Sequence, residues 1–317
     1  MDGDKRTLSI VVPVYNAQDN LTQLVETLVG VFSNSAYNYE IVLVNDGSSD
    51  RSWAALCALQ SHYPERLCIV DLMRNYGQHN ALMCGLRECT GDIVVTMDDD
   101  LQHAPNDALR LVEALEQGNY DLVYGVYRKK RHEPWRNAGS ALIQLFYRRI
   151  FSRRNNITAF RAIRRQLVES IFPYTLNYVF LDGLFAWSSD RIGEVEVDHE
   201  ARQQGRSGYS LSKLVTLAIN LFTNFSLVPL QIVSWLGLIF SVGGFFMGCY
   251  YLFLHFANSI SVPGYASIIV SVSIFGGIQL LALGVVGEYL GRVHLNINRM
   301  PQYNVRQKRP VHRKNDL

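Results

Sequence analysis

No aspartate, glutamate, lysine or arginine lies between Leu214 and Gly287 of this 317-residue chain. A gap that long is no element of a soluble core, and it is long enough for two membrane spans. Cysteine is scarce. Cys57, Cys68, Cys84, Cys89 and Cys249 form no C-x-x-C pair, and their number is odd. They read as reduced core residues of a cytosolic compartment. Met1 to Arg6 run into a strand pattern with no apolar leader segment, so no signal peptide is expected. No G-x-G-x-x-G follows the first strand pattern, which argues against a dinucleotide fold. Gly47-Ser48-Ser49 lacks the lysine of a P-loop. Net charge is only +2, so no nucleic-acid partner is expected and the chain is not an acidic solvating protein.

What is present is a run of buried-strand patterns alternating with helical ones. Leu8 to Pro13, Glu40 to Val44, Leu67 to Val70, Ile93 to Met97 and Asp121 to Val126 are rich in β-branched residues. Between them, Leu21 to Val31, the stretch after Asp50, Gln78 to Glu88 and Pro105 to Gln117 read as helices. Alternation of this kind implies an α/β domain with a parallel-dominated sheet. Ligands of such sheets bind at the carboxyl ends of the strands. Asp46, Arg74, Asp98 and Asp100 all fall just after expected strands and should line one rim. Arg136 to Phe151 reads as a further helix, and Gly193 to Asp198 alternates as a strand, while Ser152 to Trp187 has no clear pattern.

The acidic run Asp98-Asp99-Asp100 is the sharpest signal. Three carboxylates at a strand end repel one another, and a divalent cation resolves the conflict. Residues i and i+2 face the same way in an extended chain, so Asp98 and Asp100 share a side and Asp99 does not. Oxygen ligands without a His/Cys cluster suit a hard ion, Mg²⁺ or Mn²⁺. The bland reading, a solvated acidic loop before Pro105, loses ground because the other rim residues converge there.

From Tyr209 the character changes. Leu211, Leu214, Val215, Ala218, Leu221, Phe222 and Phe225 recur at helical spacing opposite a polar side, as in a helix lying on a bilayer. Val228 to about Phe256 and Tyr265 to about Val286 are the expected spans. The turn between them carries no positive charge, whereas Arg292, Arg299, Arg306, Lys308, Arg309, Arg313 and Lys314 follow the second. The positive-inside rule then puts the large domain and both termini in the cytoplasm. The expected layout is a cytoplasmic domain over 1–208, an interfacial helix over 209–226, two spans over 227–290 and a basic tail over 291–317. A piece ending at Ser226 is expected to keep nucleotide binding.

In order along the chain stand Val12-Pro13-Val14-Tyr15-Asn16, Val44-Asn45-Asp46-Gly47-Ser48, Arg74-Asn75-Tyr76-Gly77-Gln78 and Asp98-Asp99-Asp100-Leu101-Gln102. Arg202-x-x-Gly205 and Gly287-Glu288-Tyr289-Leu290-Gly291-Arg292 follow. Together they resemble the family 2 glycosyltransferases that load a sugar onto a polyprenyl phosphate, of the bacterial bactoprenol-glucosyl and aminoarabinose types. That resemblance implies a Rossmann-like GT-A domain. It implies a nucleotide-sugar donor, with UDP favoured, an undecaprenyl-phosphate acceptor in the bacterial inner membrane, and a homotetramer. It assigns Pro13, Tyr15, Asn16, Asp46, Arg74, Gly77, Asp98 and Asp99 to the nucleotide sugar. Asp98, Asp100 and Gln102 would hold the metal on the donor diphosphate. Arg161, Arg202, Arg206 and Lys213 would face phosphates, with Asp98, Asp100 and Arg161 the catalytic set.

Three positions depart from the family pattern. Ala17 stands where many relatives have Glu, Ala159 where relatives often carry Asp before Phe160-Arg161, and Gly208 where Lys is usual. Ala159 removes a candidate general base. A phosphate monoester with a second pKa of about 6 can attack without one. A polysaccharide synthase of the same fold would need more spans and a QxxRW motif, and neither is found. A non-catalytic membrane scaffold is disfavoured by the intact Asp98, Asp100 and Gln102.

Overall fold

A computed structural model describes residues 6–127, 157–176, 179–197, 228–256, 264–297 and 300–312. The strands are β1 (Thr7–Val14), β2 (Asn38–Asn45), β3 (Leu67–Leu72), β4 (Ile93–Thr96), β5 (Leu122–Tyr127), β6 (Arg161–Arg164), β7 (Ile192–Val197) and β8 (Val305–Arg309). They form one sheet in the order β7-β5-β6-β4-β1-β2-β3-β8. The helices are α1 (Leu21–Ser33), α2 (Ser52–His62), α3 (Gln78–Glu88), α4 (Pro105–Gln117), α5 (Arg165–Ser170), α6 (Leu181–Ser188), α7 (Val228–Phe256) and α8 (Tyr265–Ile297).

The chain lays β2 and β3 on one side of β1, then returns to place β4 on the other, all four parallel. The order of strands therefore reverses at β1 and β4, and a crevice opens beyond their carboxyl ends. Helices cover both faces, which is why these strands read as nearly continuous apolar runs. Ile10, Val12, Ile41 and Leu43 share a core with Leu21, Leu24, Leu28, Leu111 and Leu115 from α1 and α4. The alternate residues Val11 and Val44 face α3. A Cβ on Gly85 would run into Val11 Cγ1 and come within 3.2 Å of Val44 Cγ2.

Pro13 sits in the central strand, where a missing N–H ordinarily breaks a ladder. Val11 accepts the Met97 N–H at 3.2 Å. Residues 11 and 13 thus share the side facing β4, and β4 has ended at Thr96. The proline lacks a donor only where its neighbour has already turned away.

Two strands departed from expectation. β6 lies in the stretch that showed no pattern and runs antiparallel to both β4 and β5. β8 lies in the segment read as a basic tail and pairs antiparallel with β3. Residues 300–317 accordingly group with residues 1–207 in one compact unit, and 208–299 form the other. A piece ending at Ser226 would lack an edge strand of the sheet, because that strand is encoded after the two apolar helices.

In the second unit, the windows Leu230–Met247 of α7 and Ile274–Gly291 of α8 have mean hydropathies of 1.8 and 1.5. Both helices are long and apolar enough to cross a membrane. α8 continues to Ile297, past the expected end near Val286. Phe240 of α7 meets Phe275 of α8 edge to face at 6.2 Å. The expected helices over 136–151 and 209–226 lie outside the described residues.

Gly85→Ala should cost about 1–3 kcal/mol through overpacking at the α3 contact with β1 and β2. Thermal unfolding of the detergent-solubilised chain measures it. An unchanged midpoint would mean that α3 sits less tightly than described.

Candidate active site

Four loops leave the carboxyl ends of β1, β2, β3 and β4, and hydrogen bonds tie them into one rim. The first tie joins the loops after β1 and β2. Asn16 takes a left-handed conformation, φ 51°. Its N–H donates to Ser48 Oγ at 3.0 Å and its Oδ1 accepts the Ser49 N–H at 2.8 Å. Asparagine tolerates that backbone because its short polar side chain bonds locally.

The second tie joins the loops after β2 and β3. Asp46, 3% exposed, accepts the N–H groups of Tyr76 at 2.7 Å and Gly77 at 2.9 Å, one on each oxygen. Burial raises its pKa, and the two amides pull it back in part. Gly47 follows with φ +62°. A Cβ there would strike the Arg74 carbonyl carbon and lie 2.5 Å from the Asn75 nitrogen. Only glycine allows the loops to approach this closely. Arg74 is exposed and lies over the Tyr76 ring, 4.8 Å from its centroid.

The third tie brings in the acidic run. Asp99 turns toward β1 and accepts the Tyr15 N–H at 3.1 Å. Burial raises its pKa to about 6, with the Asp98 and Asp100 charges adding to the rise. Asp98 instead accepts the Gln78 Nε2 amide at 2.6 Å. His103 Nε2 lies 3.9 Å from Asp98, and its ring stacks on Phe160 at 4.6 Å. Asp100 Oδ1 accepts the Gln102 N–H at 3.2 Å. Between them Leu101 has φ +59°, a conformation uncommon for a bulky side chain and one that clusters at functional sites.

Of the residues assigned from sequence, Tyr15, Asn16, Asp46, Arg74, Gly77, Asp98, Asp99, Asp100 and Gln102 lie on these four loops. Pro13 is buried within β1. Arg161, expected to face a phosphate, lies inside the domain. It is 1% exposed, forms an ion pair with Asp182, and donates from Nε to Thr96 Oγ1 at 3.0 Å. Tyr124 Oη donates to the same Asp182 carboxylate at 2.9 Å. Burial disfavours the guanidinium charge, but Asp182 and Tyr124 outweigh it and hold the Arg161 pKa above its ordinary value. Among the described residues this enclosed guanidinium is a strut between β6, β4 and α6. Arg202, Arg206 and Lys213 lie outside the described residues.

Sequence reasoning placed Gln78 in a motif but gave it no role, and it missed His79 and Asp182. His79 packs edge to face on Phe180 at 5.4 Å, and its buried Nδ1 has no hydrogen-bond partner among the described residues. Burial lowers its pKa below 6.5. A lone histidine one residue past that motif carries no pattern that would have marked it.

Among the described residues no group of three or more His, Cys, Asp or Glu is gathered to hold a metal. An ion bound through one or two carboxylates plus substrate phosphates needs no such group. Asp98 and Asp100 are partly exposed, lie beside the crevice and offer only oxygen, so they fit that role.

The chain as a whole is similar to known proteins. Residues 9–172 match the family model described as glycosyl transferase family 2. An uncharacterized glycosyltransferase of Synechocystis sp. is 36% identical over 305 residues, 94% of each chain. An undecaprenyl-phosphate 4-deoxy-4-formamido-L-arabinose transferase of Serratia proteamaculans is 34% identical, over 95% of this chain and 94% of its own. The enzyme of that name from Pectobacterium atrosepticum is 33% identical over 97% and 95%. Among solved structures, glucosyl-3-phosphoglycerate synthase of Mycobacterium tuberculosis, in complex with Mn²⁺, UDP and its product, superposes with TM-score 0.51. It is 19% identical, over 69% of this chain and 78% of that one. The likeness to that synthase is one of fold.

Two outcomes test this geometry. Arg161→Ala should lower stability by about 3–5 kcal/mol, because it leaves Asp182 buried and unpaired. Denaturant unfolding reads the loss, and a well-folded Arg161→Ala protein would restore an open role for this side chain. His79 is more acidic folded than unfolded, so it favours folding at high pH. That contribution declines as pH drops below 6.5. His79→Gln should therefore flatten the acid side of the stability profile, and parallel profiles would exclude a buried neutral His79.

Proposed function

Because the chain belongs to glycosyl transferase family 2, we propose that it transfers a sugar from a nucleotide sugar, with UDP the favoured nucleotide, to undecaprenyl phosphate. The product is a polyprenyl-phosphate sugar for modification of cell-envelope glycans. The observation that carries this reading is similarity along the whole chain, apolar helices included, to transferases named for that lipid acceptor.

The rim supplies the donor side. Tyr15, Asn16 and the Asp46-anchored loop with Arg74 and Gly77 form a pocket for the base and ribose. Asp98 and Asp100, with Gln102 beside them, would hold Mg²⁺ or Mn²⁺ for the donor diphosphate. The metal supplies neutralisation of the leaving nucleoside diphosphate without proton transfer. Asp99 is spent on the Tyr15 amide and fixes the β1 loop against the acidic run. Gln78 aims Asp98 from α3.

The acceptor phosphate is an anion and needs cations around it. Arg202, Arg206 and Lys213 are assigned to it, with arginine suited to bidentate contact. Arg161 acts from behind, through Thr96 and Asp182. The spans and the amphipathic stretch before them present the lipid, with the catalytic unit and both termini cytoplasmic by the positive-inside rule. Attack is in line and needs no protein base.

Full-length protein in detergent, given radiolabelled nucleotide sugars and undecaprenyl phosphate, should yield a lipid-extractable labelled sugar. A polymer would mean a synthase, and no product with any donor would mean a scaffold. Asp98→Asn and Asp100→Asn should each abolish transfer and weaken Mn²⁺-dependent UDP binding, while Asp99→Asn is milder. Full activity in Asp100→Asn would overturn the metal assignment.

A further inference from the structure

The segment that follows the second apolar helix is bonded along its length to the first compact unit, and in its middle to a loop of the rim. Gln302 is buried, and its Nε2 donates to the carbonyls of Tyr174 at 3.0 Å and Leu176 at 2.9 Å. The Asn304 carbonyl accepts the Met73 N–H at 2.9 Å, and Asn304 Nδ2 donates to Tyr76 Oη at 3.2 Å. Arg306 donates to the Met73 carbonyl at 2.8 Å and lies 3.5 Å from Asp71 Oδ2. Asp71 Oδ1 in turn accepts Asn45 Nδ2 at 2.7 Å, at the end of β2. Lys308 pairs with Glu88 at the far end of α3.

The contacts of Asn304 and Arg306 fall on one target. Met73 and Tyr76 belong to the loop between β3 and α3. The same loop gives the Tyr76 and Gly77 amides to Asp46 and passes against Gly47. Residues 73–75 are exposed, so the loop has little burial of its own to hold it. From inside it is held by Asp46, and from the sheet edge by Asn304 and Arg306.

We propose that residues 302–309 are a positioning segment for the nucleotide sugar, with Arg306 and Asn304 fixing the loop 73–77 in its binding geometry. The proposal rests on the reading that this loop lines the donor pocket. A consequence follows from chain order. The bracing strand is encoded after both apolar helices, so the donor pocket is complete only in a chain that carries through them. Arg306 suits the task because its planar fork reaches a carbonyl and a carboxylate together, which a lysine ammonium cannot do in one fixed geometry.

The test uses the full-length chain in detergent and two readouts. Hydrogen exchange at Met73, Tyr76 and Gly77 reports the loop, and calorimetry with UDP and Mn²⁺ reports the donor site. In Arg306→Ala/Asn304→Ala, exchange at those amides should rise about tenfold, and UDP affinity should fall about tenfold. The amides of Ile10 to Val12 should stay protected. With an active donor, KM should rise with kcat nearly unchanged, because the segment touches no reacting atom. Arg306→Lys should recover part of the loss. Unchanged exchange in the variant, with UDP bound normally by the wild type, would overturn the proposal alone. Faster exchange with unchanged UDP affinity would leave a brace without a donor role and would overturn it as well. A wild-type chain that binds no UDP, while its loop still loosens in the variant, would instead overturn the donor reading, and the positioning role with it.

Discussion

A single carboxylate joins the two loops on which the rest of the rim depends. Asp46 is almost wholly buried, yet no cation faces it among its hydrogen-bond partners; two backbone amides do. A buried charge left unpaired is costly, so the loop carrying Tyr76 and Gly77 must stay where its N–H groups point at Asp46. Gly47 makes that approach possible, because any side chain there would collide with the Arg74–Asn75 backbone. The start of α3 follows from the same constraint. Gly77, φ +90°, turns the chain so that Gln78 begins the helix and reaches Asp98. The loops proposed for the nucleotide and the acidic side of the crevice are thereby parts of one bonded structure.

The core of this fold was legible because both faces of the sheet are covered. Strands buried on two sides must be apolar throughout, and β1 to β5 announced themselves as β-branched runs. The strands that escaped notice obey other rules. β6 reads Arg-Ala-Ile-Arg, and its first arginine is buried by pairing with Asp182, a partner 21 positions further on. Nothing local marks a buried charge whose partner is that far away. β8 reads Val-Arg-Gln-Lys-Arg and is exposed along most of its length. Charged residues are ordinary on an edge strand, where they discourage further pairing. Composition alone made it a basic tail.

The site shows a parallel division. Position along the chain was enough to bring Asp46, Arg74 and the Asp98–Asp100 run to one rim, since each follows a parallel strand. What position could not give is the direction of each side chain. Asp46 and Asp99 spend their oxygens on the protein's own amides, and Arg161 is turned inward. Motif residues of this kind build the pocket as much as they line it. The acidic run illustrates the division of labour. Burial and two like charges raise the Asp99 pKa to about 6, and the Tyr15 N–H offsets part of that. Its neighbours stay more open, one oxygen of each engaged by a neutral donor.

Position 159 is an alanine where the resemblance leads one to expect an aspartate, and the surroundings show what holds its backbone. The Ala159 carbonyl accepts the Thr96 hydroxyl at 2.7 Å, and Thr96 Oγ1 accepts Arg161 Nε at 3.0 Å. The backbone at 159 is therefore fixed from the end of β4 and from the buried arginine two residues on. Its side chain contributes nothing to that arrangement. The hydrogen bonds that fix this backbone make no use of a side chain at 159. On the proposed reaction there is little proton to handle. A phosphate monoester is largely dianionic above its second pKa of about 6, and its oxygen attacks without giving up a hydrogen. A carboxylate beside it would add like charge where the acceptor must come close. The requirement that remains is for cations to gather the two phosphates and for a fixed rim to aim the donor.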